Sequence, residues 1–137
     1  MPATRLRTHT EVRVVLRHGS DALIVRSGPD EPWDVPGGPL HAGEPVAAAA
    51  LRWCRLLLDL QPTALGSTRT LVHSYGARAV RYRYVVAELD ATHAPPACAT
   101  AAPELWRWVR IPQLRDYYLA PAFQQALDAL FANAAGR

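Results

Sequence analysis

The sequence predicts an α+β fold in which helices pack on a mixed β-sheet. Several segments alternate apolar and polar residues, as half-buried strands do, and two longer segments carry apolar residues at helical spacing. Their order is strand pair, helix, strand pair, loop, strand, helix, which is typical of the α+β class. With 137 residues, half of them hydrophobic, the chain has the size of one domain spanning residues 1–137.

The first predicted elements form a hairpin. His9–Arg17 alternates enough to be a strand, Gly19–Asp21 has the residues of a tight turn, and Ala22–Arg26 is predicted as the returning strand. One face of the first strand carries Val12, Val14 and Leu16.

A short extended piece and a helix are predicted next. Trp33–Val35 should be extended and end in a turn at Pro36–Pro39. Pro45 suits the first residue of a helix, because its missing N–H would have no partner there. The helix should continue to about Leu58 and stop before Pro62, since the residue before a proline disfavours helical geometry.

The second half of the chain is predicted to complete the sheet. Thr68–Ser74 and Ala79–Leu89 are predicted as two strands, and Asp90–Pro103, which has almost no large side chains, as a mobile surface loop. Leu105–Ile111 is predicted as the last strand, and Pro121 opens the final helix. The inner face of that helix carries Phe123, Leu127, Leu130 and Phe131.

Charge and composition narrow the classes of function. All 15 basic residues are arginine, and the net charge of +3 is too small and too scattered to predict nucleic-acid binding. Arginine binds phosphate through a planar fork and stays charged when partly buried, so anionic small molecules remain candidate ligands. No apolar run is long enough to cross a membrane, and the N-terminus lacks the apolar core of a secretory signal. We therefore expect a cytoplasmic protein.

The two cysteines predict neither a disulfide nor a metal site. Cys54 lies in the predicted helix and Cys98 in the predicted loop, so both are expected to be free thiols in a reducing compartment. Neither has a histidine or cysteine nearby at zinc spacing, so we expect no zinc.

One motif carries a family resemblance. Gly38 is followed after five residues by Glu44 and, after seven more, by Arg52. This spacing resembles the Nudix box, and the approach Trp33–Gly38 and the later segment Glu104–Val109 are similar to the corresponding parts of Nudix hydrolases. The resemblance covers nearly the whole chain. It implies a Nudix-type α/β/α sandwich with a mixed β-sheet in a single domain.

Three of the four glutamates of that box are replaced in this chain. Trp53, Leu56 and Leu57 stand in their places, and the late glycine of the pattern is Asp59. In the family those glutamates bind the divalent ions that polarise a diphosphate and activate water, and magnesium requires hard oxygen ligands. Tryptophan and leucine supply no oxygen. We therefore expect no bound Mg²⁺ or Mn²⁺ and no metal-dependent hydrolysis at this place.

Two apolar stripes run along the predicted helix. Trp53, Leu56, Leu57 and Leu60 share one side, at helical spacing. An apolar stripe of this kind should be buried. It would be covered by the chain's own Asp90–Pro103 loop, by a second copy of the chain in a homodimer, or by an apolar ligand. We expect a homodimer with this stripe in the interface. The second stripe, predicted to face the sheet, contains Ala47, Ala50, Leu51, Cys54 and Leu58.

The remaining candidate residues concern the ligand. Glu44 and Arg52 are either remnants of phosphate chemistry or a structural ion pair that ties the loop to the helix. Arg81 and Arg83 share one strand face, which either meets phosphates or is solvated. The candidate ligand-binding residues are Arg26, Trp33, Gly37, Gly38, His41, Arg81, Arg83 and Glu88.

Two classes of function stay open. The first is a binding or assembly module that keeps the Nudix cleft without catalysis, and binds a nucleotide-like or phosphorylated small molecule or acts through dimerisation. The second is an atypical hydrolase of a nucleoside diphosphate linked to another group, with Mg²⁺ or Mn²⁺ on displaced ligands. Those ligands would come from Glu44, Glu88, Glu104 or Asp34. The replaced glutamates favour the first class.

Overall fold

A computed structural model describes residues 7–98 and 102–131 of the chain. The strands are β1 (Arg7–His18), β2 (Asp21–Val25), β3 (Gly37–Pro39), β4 (Ala64–Tyr75), β5 (Arg78–Leu89) and β6 (Trp106–Arg110). The helices are α1 (Val46–Leu58) and α2 (Pro121–Leu130), with short 3₁₀ turns at Pro103–Leu105 and Ile111–Asp116. No helix in this part of the chain is long and apolar enough to cross a membrane.

The strands form one mixed sheet. Its order is β4-β5-β1-β2-β6, and β3 pairs with β1. β1 runs parallel to β5, and the other strand pairings are antiparallel. α1 packs on one face of the sheet and α2 on the other, each over its own apolar cluster. The predicted α+β sandwich with a mixed sheet is therefore confirmed.

Alternation along β1 and β5 separates the two faces of the sheet. Val12, Val14 and Leu16 of β1 lie on the side of α1 with Val85 and Ala87 of β5, and we call this side the α1 face. The residues between them lie on the opposite side, the α2 face. They include Val15, Tyr84 and Val86. Because β1 and β5 pair residue by residue along their whole length, paired residues share a face. The predicted alternation of β1 is confirmed.

Gly37–Pro39 is a strand rather than the predicted turn. It pairs with Glu11–Arg13 of β1. A Cβ atom at Gly37 would lie 1.8 Å from the carbonyl oxygen of Val12, so the two backbones can approach only because this residue has no side chain. Glycine is typical of turns, but here Gly37 allows β3 to pair closely with β1.

Two contacts join the segment after β5, which was predicted as a surface loop, to the rest of the domain. The indole N–H of Trp108 donates to the carbonyl oxygen of Pro96 at 2.8 Å. Cys98 is buried in the cluster on the α1 face. Residues 99–101 of the predicted loop lie outside the described residues. The acceptor of this hydrogen bond is a backbone carbonyl, so the small side chains of the segment give no sequence signal for the contact.

The buried side of α1 differs from the predicted stripe. Ala47 and Leu51 were expected to face the sheet but are exposed, whereas Leu57 lies in the core. A helix that is apolar over most of its circumference does not by its sequence fix its rotation about its own axis. The buried residues of α1 are Ala49, Ala50, Cys54, Leu57 and Leu58.

α1 ends where the box pattern has its late glycine. Asp59 takes the left-handed conformation, with φ 54° and ψ 37°, and its N–H donates to the carbonyl oxygen of Arg55 at 2.9 Å. Aspartate is one of the few residues besides glycine that tolerate this conformation. The helix therefore ends at the position where the box pattern has its late glycine, although Asp59 stands there instead.

Candidate functional site

A two-pronged ion pair joins the loop after β3 to α1. Arg52 Nε donates to Glu44 Oε2 at 3.0 Å, and a second guanidinium N–H donates to Oε1 at 3.0 Å. The backbone N–H of His41 also donates to Oε1, at 3.1 Å. The hydrogen bonds from Arg52 hold the pKa of Glu44 below its ordinary value. An ion pair, one of the two alternatives for these residues, is present, and both carboxylate oxygens of Glu44 take part in it.

The ring of Trp53 fills the space between α1 and β3. A Cβ atom placed on Gly38 would lie 2.9 Å from Trp53 Cζ2, so the indole packs directly on the glycine. The Arg52 guanidinium lies 5.5 Å from the centre of the same ring. An apolar ring therefore stands where the Nudix box has its second glutamate.

The predicted interface stripe is divided between core and surface. Leu57 is 7% exposed and belongs to the core on the α1 face, so its own chain already covers it. Leu56 is 52% exposed and Leu60 41% exposed. Trp53 is half-buried against β3. Within this stripe, Leu56 and Leu60 are the two side chains with a large exposed apolar surface.

The residues at the box positions do not fit a magnesium centre. Magnesium in proteins takes oxygen ligands in near-octahedral geometry, and Trp53 and Leu57 offer none. The carboxylate of Glu44 is held by Arg52. Within residues 7–98 and 102–131, no three histidine, cysteine or acidic side chains form a group that could hold a metal ion.

Arg81 and Arg83 lie on the α1 face of β5. Arg83 pairs with Val12 of β1, and Val12 pairs with Gly38 of β3, so Arg83 is two strands away from the glycine that Trp53 covers. Arg83 is half-buried and Arg81 is exposed. The structure thus brings both arginines to the same side of the sheet as Glu44, Arg52 and Trp53.

Three predicted ligand-binding residues lie elsewhere. Trp33 is buried in the core on the α2 face, with the guanidinium of Arg26 4.3 Å from its ring centre. Glu88 is also on the α2 face, because it is an even-numbered residue of β5, and it lies 3.7 Å from Arg17 at the far end of the strand. Arg26, Trp33 and Glu88 are therefore not part of one site with Arg81 and Arg83.

The sequence analysis missed a polar cluster on the α2 face. Arg13 donates to Glu11 at 2.5 Å and its guanidinium lies 5.6 Å from the ring centre of Tyr82. The hydroxyl of Tyr84 is buried without a hydrogen-bond partner among the described residues. Burial raises the pKa of Asp34 above its ordinary value, although the nearby positive charge of Arg13 acts in the opposite direction. Glu11 and Arg13 alternate with core valines on one strand, and that signal could have revealed the cluster.

The raised pKa of Asp34 predicts a specific pH dependence of stability. The folded state binds the proton of Asp34 more tightly than the unfolded state, so this group favours folding most below its ordinary pKa. That contribution is lost as the pH rises through the folded-state pKa. Asp34→Asn should therefore gain stability relative to the parent as the pH rises from acid to neutral. Urea unfolding across that range measures the difference, with exposed Asp30→Asn as the control. An Asp34→Asn difference that is independent of pH would contradict the assignment.

Solved structures of other proteins share this fold. The E. coli ORF135 protein superposes with a TM-score of 0.75 at 18% identity, covering 100% of this chain and 98% of that one. The MutT NUDIX hydrolase of Burkholderia pseudomallei superposes with a TM-score of 0.69 at 16% identity, covering 89% of this chain and 97% of that one. The C. elegans Ap4A hydrolase superposes with a TM-score of 0.68 at 19% identity, covering 94% of this chain and 99% of that one. No protein-family model and no curated protein sequence matches the chain.

The described part of the chain therefore has the Nudix fold. Within that fold its box keeps Gly38, Glu44 and Arg52, while an indole and two leucines replace the remaining glutamates.

Proposed function

We propose that this protein is a Nudix-fold binding module that holds a nucleotide or another phosphorylated small molecule without metal-dependent hydrolysis. We also propose that the protein is located in the cytoplasm. The observation that carries it is the position of Trp53, whose ring packs on Gly38 where a metal-binding carboxylate would stand. Activation of water by magnesium needs an ion held beside the diphosphate, and an indole cannot hold one.

The state of Glu44 supports the same conclusion. Both oxygens of Glu44 accept charge-assisted hydrogen bonds from Arg52, so a metal ion would have to compete with this ion pair for the carboxylate. The low pKa of Glu44 also makes it a poor general base near neutral pH. The retained motif residues thus act as a clamp between loop and helix.

The arginines supply the means to bind anions. Arg81 and Arg83 lie on the same face of the sheet as Trp53, and guanidinium groups pair well with phosphate oxygens. A fold neighbour described as an Ap4A hydrolase makes phosphorylated nucleotides the first ligands to test.

We expect nucleotide binding in EDTA, without turnover when metal is added. Calorimetry would measure binding of nucleoside triphosphates, ADP-ribose and dinucleoside polyphosphates. Formation of hydrolysis products with Mg²⁺ or Mn²⁺, measured by chromatography, should stay far below ~1 per second, which is the low end of ordinary enzyme turnover. Turnover near that rate that disappears in Glu44→Gln, but not in exposed Glu31→Gln, would instead identify a hydrolase with displaced metal ligands. The absence of binding to every compound would refute the proposal.

A second candidate is assembly through a homodimer. The exposed side chains of Leu56 and Leu60 favour it, because large apolar residues are enriched where proteins meet. Light scattering of the parent protein would decide between monomer and dimer.

A further inference from the structure

We infer that the free edge of strand β4 is a docking site for an extended segment of another protein, in which acidic residues alternate with β-branched apolar residues. The segment adds to the sheet as a further strand beside Thr68–Tyr75. No residue of β4 belongs to the proposed ligand site, so this surface is independent of the proposed function.

The two edges of the sheet differ in length. β4 forms one edge and β6 the other. β6 has only 5 residues, whereas β4 has 12, and its part Thr68–Tyr75 pairs residue by residue with β5. Within residues 7–98 and 102–131, no strand pairs with the outer side of β4. Alternate residues of an edge strand direct their N–H and C=O groups outward, so Thr68–Tyr75 offers a regular row of backbone donors and acceptors.

The usual devices that protect a long edge strand are missing from this segment. Proteins discourage pairing at an edge with proline, with lysine or with a covering loop. Thr68–Tyr75 contains no proline and no lysine, and its threonines, valine and tyrosine favour extended structure. Thr70, Val72 and Ser74 are exposed on the α1 face, so no described helix or loop covers that side of the strand. An edge of this kind can accept a strand from another chain.

The charge around this edge is entirely positive. Residues 60–87 include four arginines and no acidic residue. Arg69 lies on β4 itself, and Arg78 and Arg81 are exposed on the neighbouring strand. Within the described residues, none of these three arginines forms an ion pair. Two copies of the chain that met along β4 would bring like charges together, whereas an acidic strand would neutralise them.

The side chains of β4 determine the sequence pattern of the partner. Arg69 lies on the α2 face, because it pairs with Tyr84, and Val72 lies on the α1 face, because it pairs with Arg81. Side chains directly opposite each other on neighbouring strands lie about 5 Å apart. An added strand therefore places acidic residues beside Arg69 on the α2 face and apolar residues beside Val72 on the α1 face. Because successive side chains point to opposite faces, the two kinds of residue alternate in the partner.

The test uses an end-blocked eight-residue peptide of alternating glutamate and valine, and fluorescence polarisation measures its binding. The peptide should bind the parent protein, and more weakly as salt is raised, while a lysine–valine peptide should not bind. Arg69→Glu should weaken binding at least about fivefold, because it places like charges opposite each other. Arg110→Glu is the matched control, because Arg110 is exposed on β6 at the opposite edge of the sheet. It should bind the peptide as the parent does.

A second pair of peptides separates strand pairing from attraction of charge alone. One carries methyl groups on the backbone nitrogens of its valines, and the other carries them on those of its glutamates. Only one of these two sets of N–H groups faces β4 in a paired strand, so one methylated peptide should lose binding and the other should keep it. In the labelled protein, outward-facing amides of Thr68–Tyr75 should exchange with solvent rapidly without the peptide and slowly with it.

Several outcomes would overturn the inference. Equal binding by both methylated peptides, or equal weakening by the two arginine variants, would indicate attraction of charge without strand pairing. Slow exchange of every β4 amide in the parent alone, together with a dimer in light scattering, would identify a second copy as the occupant. A single-stranded oligonucleotide that displaces the peptide and binds more tightly would identify a nucleic-acid surface. Absence of peptide binding to the parent would also refute it. Nucleotide binding should be unchanged in Arg69→Glu, so the proposed function is tested separately.

Discussion

Leu57→Glu is expected to lower the free energy of unfolding by roughly 3–5 kcal/mol, because it places an unpaired carboxylate in the core. Leu57 is 7% exposed and packs with Cys54 and Leu58 of α1 against the sheet. A domain of this size is stable by about 5–15 kcal/mol, so the variant should be partly unfolded or only marginally folded. Urea unfolding followed by tryptophan fluorescence would measure the loss.

Leu56→Glu is the matched control on the same helix. Leu56 is 52% exposed, so its glutamate can stay in water and the change in stability should remain within about 1 kcal/mol. An equal loss of stability in both variants would contradict the rotation of α1 described above. Neither variant is expected to gain hydrolysis, because Trp53 still fills the space beside Gly38. If light scattering finds the parent to be a dimer through Leu56 and Leu60, Leu56→Glu should dissociate it without unfolding.

Gly37→Ala is expected to destabilise the protein by roughly 3 kcal/mol or more, because the added methyl has no room. Its Cβ would lie 1.8 Å from the carbonyl oxygen of Val12 and 2.9 Å from the Cα of Arg13. Both neighbours are backbone atoms, so they cannot move aside as a side chain would. Movement of β3 away from β1 would relieve this overlap, but it would also disturb the packing of Trp53 on Gly38.

Gly28→Ala provides the comparison for that prediction. The nearest atom to a Cβ at Gly28 is Glu31 Cγ at 3.6 Å, which is ordinary contact. The change in free energy of unfolding should therefore stay within about 1 kcal/mol. Urea unfolding of both variants side by side checks the contrast, and similar stabilities would show that β3 does not pair closely with β1.

The sequence by itself determined the class of fold and the main elements. Alternation identified β1 and β5, and the prolines at 45 and 121 correctly marked the starts of the two helices. The spacing of Gly38, Glu44 and Arg52 indicated the Nudix fold and the ion pair. These features were predictable because each depends on local periodicity or on a short motif.

Tertiary structure alone decided how these elements meet. Packing set the rotation of α1 about its axis, so that Leu57 lies in the core and Leu56 faces outward. The sequence could not decide this, because a helix that is apolar on most sides can bury any one of several faces. It also made Gly37–Pro39 a strand and fixed the segment after β5 through the carbonyl of Pro96. Backbone pairing of this kind leaves no pattern in the side chains. The row that joins Gly38 to Arg83 likewise exists only through strand register, since the two residues are far apart along the chain.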